Sequence, residues 1–270
     1  MNRKIKVIIA AIILCITVTC VIINTRALEI KGVLEYFWGD TDENISYLVK
    51  EYNQTAVIDD YIITLDSAAF DDKTGTIYSK FIVSKNNAKV EAYIYSNDHM
   101  TNTFGEDNRF SLLVNADIGG QGTFYGKYVG NDLIIYCKYQ YLCEDMEDTK
   151  SIYLADGKTG KITYENSAEK FFLESTSNAI EIKDGNTKVI YVSPMALKIS
   201  SVCELSPNTI EICYKNGATK EIYNVKEKLF TGNEGLSCAS KRYTKVIGMP
   251  YLIDVEQVEG IIYNGEMYRK

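Results

Sequence analysis

Ile77-Tyr78-Ser79-Lys80-Phe81-Ile82-Val83-Ser84 is the stretch that decides the fold. Ile77, Phe81 and Val83 fall on one parity, and Tyr78, Lys80 and Ser84 on the other. Successive side chains of an extended chain point to opposite faces, so this order describes a strand with one face in a core and one toward water. A second run has the same order, with Val90, Ala92 and Ile94 alternating with Glu91, Tyr93 and Tyr95. Turn chemistry recurs along the chain at Asp71 to Gly75, Gly130-Asn131-Asp132, Asp156 to Gly160, Asp184-Gly185-Asn186, Asn216-Gly217 and Asn264-Gly265. Asn-Gly and Asp-Gly accept the positive φ that tight hairpins need. Strands every 8–12 residues or so with no long helical run predict antiparallel β-sandwiches.

The chain is 270 residues long, room for about two ordinary domains. The strand pattern divides into a first unit over 54–166 and a second over 167–270, with the short polar run Glu165-Asn166-Ser167-Ala168 between them. The 21 tyrosines against 3 prolines and 1 histidine fit this class, because Tyr suits a pleated, half-wet surface.

Outward from the strands, the N-terminal end has a different character. Val7 to Ile23 is a 17-residue run with no charge, about 26 Å long as a helix and near the lower limit for crossing a bilayer. Lys4, Lys6 and Arg26 stand where they can snorkel to the head groups. The expectation is an uncleaved transmembrane helix over 7–24, in contact with membrane lipid. A cleaved signal peptide and a lipoprotein signal are the alternatives. Thr25-Arg26-Ala27 is a poor small-x-small cleavage site, and Thr17-Val18-Thr19 before Cys20 is a poor lipobox. Arg3, Lys4 and Lys6 before the run, with only Arg26 close after it, place the N-terminus in the cytoplasm and the body outside. Residues 1–6 are then a cytoplasmic stub, and 25–53 a juxtamembrane linker ending in a short helix. Within that linker Leu34, Tyr36, Phe37 and Trp38 form an aromatic cluster suited to the membrane interface or to packing on the body. The helix is expected over Asp40 to Tyr52, with Asp40 and Glu43 in a capping-box pattern and Ile45, Leu48, Val49 and Tyr52 on one apolar face.

Several chemistries are disfavoured. Arg3, Lys4, Lys6 and Arg26 are the only charges up to Ala27, so of 29 basic residues 25 remain against 36 acidic ones, a net of −11. Such a body repels nucleic acid, and no nucleic-acid partner is expected. His99 lies in a polar turn, Ser96 to Met100, and no Gly-x-Ser-x-Gly elbow accompanies it. Gly157 to Lys161 lacks the first glycine of a phosphate loop, and Ile162 stands where Ser or Thr should follow the lysine. Glu144, Asp145, Glu147 and Asp148 make an acidic patch without the order of a calcium loop. No Cys or His cluster has zinc spacing. No catalytic, cofactor-binding or metal-binding residue is therefore expected, and no cofactor. Outside the membrane run the cysteines are Cys137, Cys143, Cys203, Cys213 and Cys238, an odd number. A hairpin turning at Pro207-Asn208 would put Cys203 opposite Ile212 and Cys213 opposite Val202, with the sulfurs on opposite faces, so mostly buried free thiols are expected.

Two stretches resemble a known family. One is Asn53-Gln54-Thr55, Tyr61 to Asp66 and Thr76 to Phe81. The other begins at Tyr191-Val192-Ser193-Pro194-Met195-Ala196-Leu197-Lys198-Ile199 and continues through Lys215 to Ala218 to Ile253 to Gly265. Together they resemble an extracytoplasmic domain of unknown function found in Gram-positive, anti-sigma-factor-like membrane proteins. The resemblance covers most of the chain after Asn53 and implies immunoglobulin-like sandwiches with no catalytic residues to carry over. Many relatives have a cytoplasmic segment before the helix that could hold a sigma factor, where here only Met1 to Lys6 stands. The expected function is a membrane-anchored binding or sensing protein of the bacterial envelope, meeting a protein or cell-wall partner outside the cell. The alternatives are an envelope enzyme acting on glycan through paired carboxylates, and a structural remnant of a longer anti-sigma-like protein.

Overall fold

The alternation of Ile77, Phe81 and Val83 is built into an 11-to-10-residue hairpin, Tyr61–Asp71 with Thr76–Lys85, whose inner side chains are fully buried. The computed structural model describes residues 31–39, 43–86, 88–92, 94–95, 99–100, 103–114, 120–141, 149–156, 170–176, 178–185, 187–226, 233–237 and 242–270. Outside them lie the apolar run of 7–24, the stub of 1–6, Asp40, the junction at 165–168, the acidic patch at 144–148, the turn at 157–160, the loop at 157–161, and Cys143 and Cys238.

The described chain is mainly β, and its sheets are antiparallel. One sheet runs in the order β1 (Lys50–Ile58), β2 (Tyr61–Asp71), β3 (Thr76–Lys85), β9 (Asp132–Tyr141), β8 (Gly120–Val129), β5 (His99–Met100) and β4 (Ile94–Tyr95). It packs on a sheet of β11 (Lys170–Glu174), β10 (Thr149–Asp156), β7 (Phe110–Val114) and β6 (Thr103–Phe104). Their shared core includes Ile63, Phe81, Ile135, Leu154 and Phe171, with Phe81 and Phe171 edge to face at 5.2 Å. A second sandwich joins β12 (Ile180–Asp184), β13 (Lys188–Val192), β14 (Ala196–Ser201), β18 (Arg242–Gly248) and β17 (Asn233–Ser237) to β16 (Thr219–Asn224), β15 (Thr209–Tyr214), β19 (Val258–Tyr263) and β20 (Glu266–Arg269). Ile199, Ile212, Ile247 and Ile261 lie in its core.

The hairpins sit where turn residues announce them. Gly130, Gly185 and Gly217 have φ of 64°, 53° and 81°. At Asn264-Gly265 both residues have positive φ, joining Tyr263 directly to its partner Glu266. Asn264 does more than turn the chain. Its Oδ1 accepts from the Asn208 and Thr209 amides, and its Nδ2 donates to the Ser206 carbonyl, so one side chain pins the crossing between sheets.

Five expectations are corrected. The helix over 40–52 is a short 3-10 turn, Glu43–Leu48, and the chain is already extended at Lys50. Ile45, Leu48 and Val49 do pack together, but Tyr52 turns into the first core instead. Within the linker, Val33–Trp38 forms an α-helix, here α1, stopped by Gly39 at φ 79°. The change of sandwich falls after Glu174, not near 166, because Phe171 and Leu173 fill the first core. Of the strand expected over 90–95 only Ile94–Tyr95 pairs among the described residues. Val90 is buried, but its amide donates to the Asn131 carbonyl, its carbonyl accepts from the Tyr128 hydroxyl, and the Glu91 carbonyl accepts from Gly105, separate bonds rather than a ladder. The hairpin expected at Pro207-Asn208, with Cys203 opposite Ile212 and Cys213 opposite Val202, does not form, because β14 and β15 lie in different sheets. Both sides of β14 are occupied, by β13 and β18, so the chain crosses to the other sheet with Leu205 buried. Cys203 is exposed, Cys213 and Cys137 are buried, and all three are free thiols. Burial pushes the Cys137 thiol up to about 12. His99 belongs to β5 rather than to a turn.

Replacing Asn264 by Ala should cost about 2 kcal/mol in urea denaturation, from lost amide caps and positive-φ strain, and Asn264→Gly, which keeps the backbone freedom, about half of that.

Candidate functional site

Six residues are too few for a helix to persist on its own in water, so α1 depends on what it packs against. One side lies on the outer face of the large sheet. Tyr36 stacks flat on Tyr136 at 3.7 Å, and Phe37 meets Tyr78 edge to face at 4.8 Å. Trp38 lies 4.5 Å from the Tyr78 ring, and the Tyr136 hydroxyl donates to the Lys31 carbonyl at 2.8 Å. This cover leaves Tyr78 only 2% exposed, although it points away from the sandwich core. Burial drives the Tyr78 and Tyr136 phenols well above their ordinary pKa and draws the neighbouring Lys138 ammonium down to about 8.

The other side of α1 meets the second sandwich. The Trp38 indole N–H donates to the Met249 carbonyl at 2.9 Å. Val33, Leu34, Leu48, Ala69, Tyr78 and Met195 form one buried cluster, with Leu252 packed against it. Residues from α1, the 3-10 turn, the first sandwich and the second sandwich therefore share a single small core.

The connector closes the same junction. The Thr176 amide donates to the Phe70 carbonyl at 2.7 Å, and its hydroxyl to the Leu48 carbonyl at 2.8 Å. The Ser175 hydroxyl donates to Asp72 Oδ1 at 2.6 Å, and Lys73 pairs with Asp72 at 2.9 Å. Burial alone would raise the Asp72 pKa, but the Ser175 hydrogen bond and the Lys73 ammonium outweigh it and hold the carboxyl below its ordinary range.

A cleft of about 600 Å³ opens beside this core. Ile45, Tyr47 and Asn178 line it from the entering and connecting segments, and Leu252, Ile253, Asp254 and Glu256 from the second sandwich. Asn178 Nδ2 donates to the Tyr47 hydroxyl at 2.9 Å, and Asp254 Oδ1 caps the 3-10 turn Val255–Gln257 through the Glu256 amide at 2.9 Å. The two carboxylates stand two residues apart on one wall, whereas a glycosidase places its pair on either side of the scissile bond. The arrangement suits holding a ligand. Clefts of this size at a domain boundary are common ligand sites.

None of these lining residues was read as a site residue from the sequence. They converge from three separate segments, and the one local signal was Asp254 two residues ahead of Glu256, an N-cap for a short turn. Among the described residues, no group of three or more His, Cys, Asp or Glu is placed to hold a metal. No helix among them is long and apolar enough to cross a membrane.

No family model matches this chain, and no curated protein matches it. Among solved structures, the crystal structure of the conserved domain protein from Bacillus anthracis aligns with a TM-score of 0.45 at 11% identity, over 86% of this chain and 83% of that one.

Asp72 contributes stability above the ordinary carboxylate pKa and loses it as pH falls through its lower folded value. Acid titration below about pH 4 should therefore destabilise the wild-type chain more steeply than Asp72→Asn, and the two curves of unfolding free energy should converge at the acid end.

Proposed function

We propose that this chain is a membrane-anchored, extracytoplasmic binding and sensing protein of the bacterial envelope, without catalysis. In this reading residues 7–24 are its single membrane span. Two immunoglobulin-like sandwiches stand outside the cytoplasm and meet a protein or cell-wall partner, in a role tied to anti-sigma-type regulation. The observation that carries the proposal is the position of α1. The first helix among the described residues is built into the contact between the sandwiches, through the Trp38 bond to Met249 and the cluster around Tyr78 and Met195. A ligand that alters the seating of one sandwich on the other must alter the seating of α1. The segment leading to the membrane would then register it without further machinery.

Crosslinking in intact cells tests the proposal directly. A photoreactive residue at position 47, at the cleft mouth, should capture an envelope partner. Deleting residues 28–270 should abolish the downstream envelope response, and an unchanged response together with no captured partner would sink the reading.

Two further outcomes are expected. A membrane-impermeant maleimide should modify the exposed Cys203 in intact cells, read by peptide mass spectrometry, whereas protection until lysis would put the body inside. Trp38→Phe keeps a ring in place but deletes the N–H donor. The loss of about 1 kcal/mol should speed limited proteolysis of the 175–179 connector roughly fivefold, with each sandwich left folded.

A further inference from the structure

We infer that the junction cleft binds an alkylammonium group, either a free amine or the side chain of a lysine. This rests on the reading of that cleft as a binding site and adds the class of ligand. Three features of the lining select the chemistry.

The first is uncompensated charge. Asp254 and Glu256 are both exposed, and neither has an ion-pair partner among the described residues. Carboxylates elsewhere are often answered: Asp59 by Arg109 at 2.7 Å, Asp66 by Lys80 at 2.7 Å, Glu259 by Arg269 at 3.1 Å. Asp254 Oδ1 is committed to the Glu256 amide, which leaves its Oδ2 and both Glu256 oxygens to accept from a cation. A concave wall of one sign, on a body of net charge −11 after Ala27, concentrates cations at its mouth.

The second is an apolar floor. Ile45 and Leu252 belong to the margin of the junction core, and Ile253 is buried beside them. A bare metal ion gains nothing from such a floor, whereas the methylenes of an alkylamine do. The third is Tyr47, 51% exposed at the rim. Its oxygen already accepts from Asn178, so its own proton remains to donate to a carbonyl or hydroxyl on the ligand. Its ring offers a face to an ammonium, the contact this protein makes internally where Lys188 lies 4.5 and 4.3 Å from the Tyr263 and Tyr268 rings.

The test uses the full-length chain in detergent micelles, titrated by calorimetry with three probes: n-hexylammonium, N-acetyl-lysine methylamide and hexan-1-ol. Both cations should bind and the alcohol should not. Glu256→Gln should weaken the cations about tenfold, as should Asp254→Asn, which keeps an acceptor for the Glu256 amide. Raising salt from 0.05 to 0.5 M or so should weaken them further. Tighter binding of the acetylated lysine identifies a side chain as the natural source, and tighter binding of hexylammonium a free amine. Equal binding of alcohol and amine, or undiminished affinity in both variants, would overturn the inference. Trp38 is the only tryptophan and lies in the adjoining core, so its emission separates the two claims. Amine binding with unchanged Trp38 emission upholds the ligand class and removes the sensing role. A captured partner with no amine binding does the reverse.

Discussion

The burial of α1 between two surfaces is the constraint on which the rest of the junction depends. A helix of one and a half turns gains too little from its own hydrogen bonds to pay the entropy of ordering. It exists because Tyr36, Phe37 and Trp38 cover the outer face of a sheet that would otherwise expose Tyr78 and Tyr136, and because Trp38 finds a backbone acceptor in the other sandwich. Remove the helix and the first sandwich keeps its core, but both aromatic faces become wet and the sandwiches lose their shared cluster. The cleft beside it is walled by the 3-10 turn and connector on one side and by the second sandwich on the other.

The edges of the first sandwich follow a related logic. Strand β1 ends the large sheet and β11 ends the small one, and either edge left open would present free amides and carbonyls. They are joined by side chains. The Gln54 amide donates to the Phe172 carbonyl and accepts from the Phe172 amide, both at 2.8 Å, as a peptide unit of a paired strand would. The Tyr52 hydroxyl does the same with the amide and carbonyl of Glu174, and Lys50 pairs with the Glu174 carboxylate.

The strand class and several turns were legible in the sequence because their cause is local. Alternation at 77–83 reports a pleat, and Gly130, Gly185, Gly217 and Asn264-Gly265 report backbone angles that few other residues tolerate. What was not legible has distant causes. Helix α1 is too short for a 3.6-residue period to show. Pro207-Asn208 has turn chemistry whether the chain doubles back in one sheet or crosses to another, and the crossing is decided by β18 already occupying the edge of β14. Strand β11 was assigned to the wrong sandwich because a polar run near 166 reads as a boundary, while the pull of Phe171 and Leu173 into the earlier core leaves no local mark. The cleft residues, gathered from positions 45 to 256, share no pattern that marks them as one site.

The bond between Gln54 and Phe172 also fixes an order of events. It joins residues 118 apart in sequence, so the first sandwich cannot close until nearly two-thirds of the chain is available. At ribosomal speeds the strands β1 to β3, complete at Lys85, wait roughly 4–17 s for the last strand of their lid. During that interval the inner face of β3, with Ile77, Phe81 and Val83, gains its cover piecemeal, as Phe110, Leu112, Ile152 and Leu154 emerge ahead of Phe171. Slow, long-range closure of this kind makes the nascent chain a client for chaperones on whichever side of the membrane it folds.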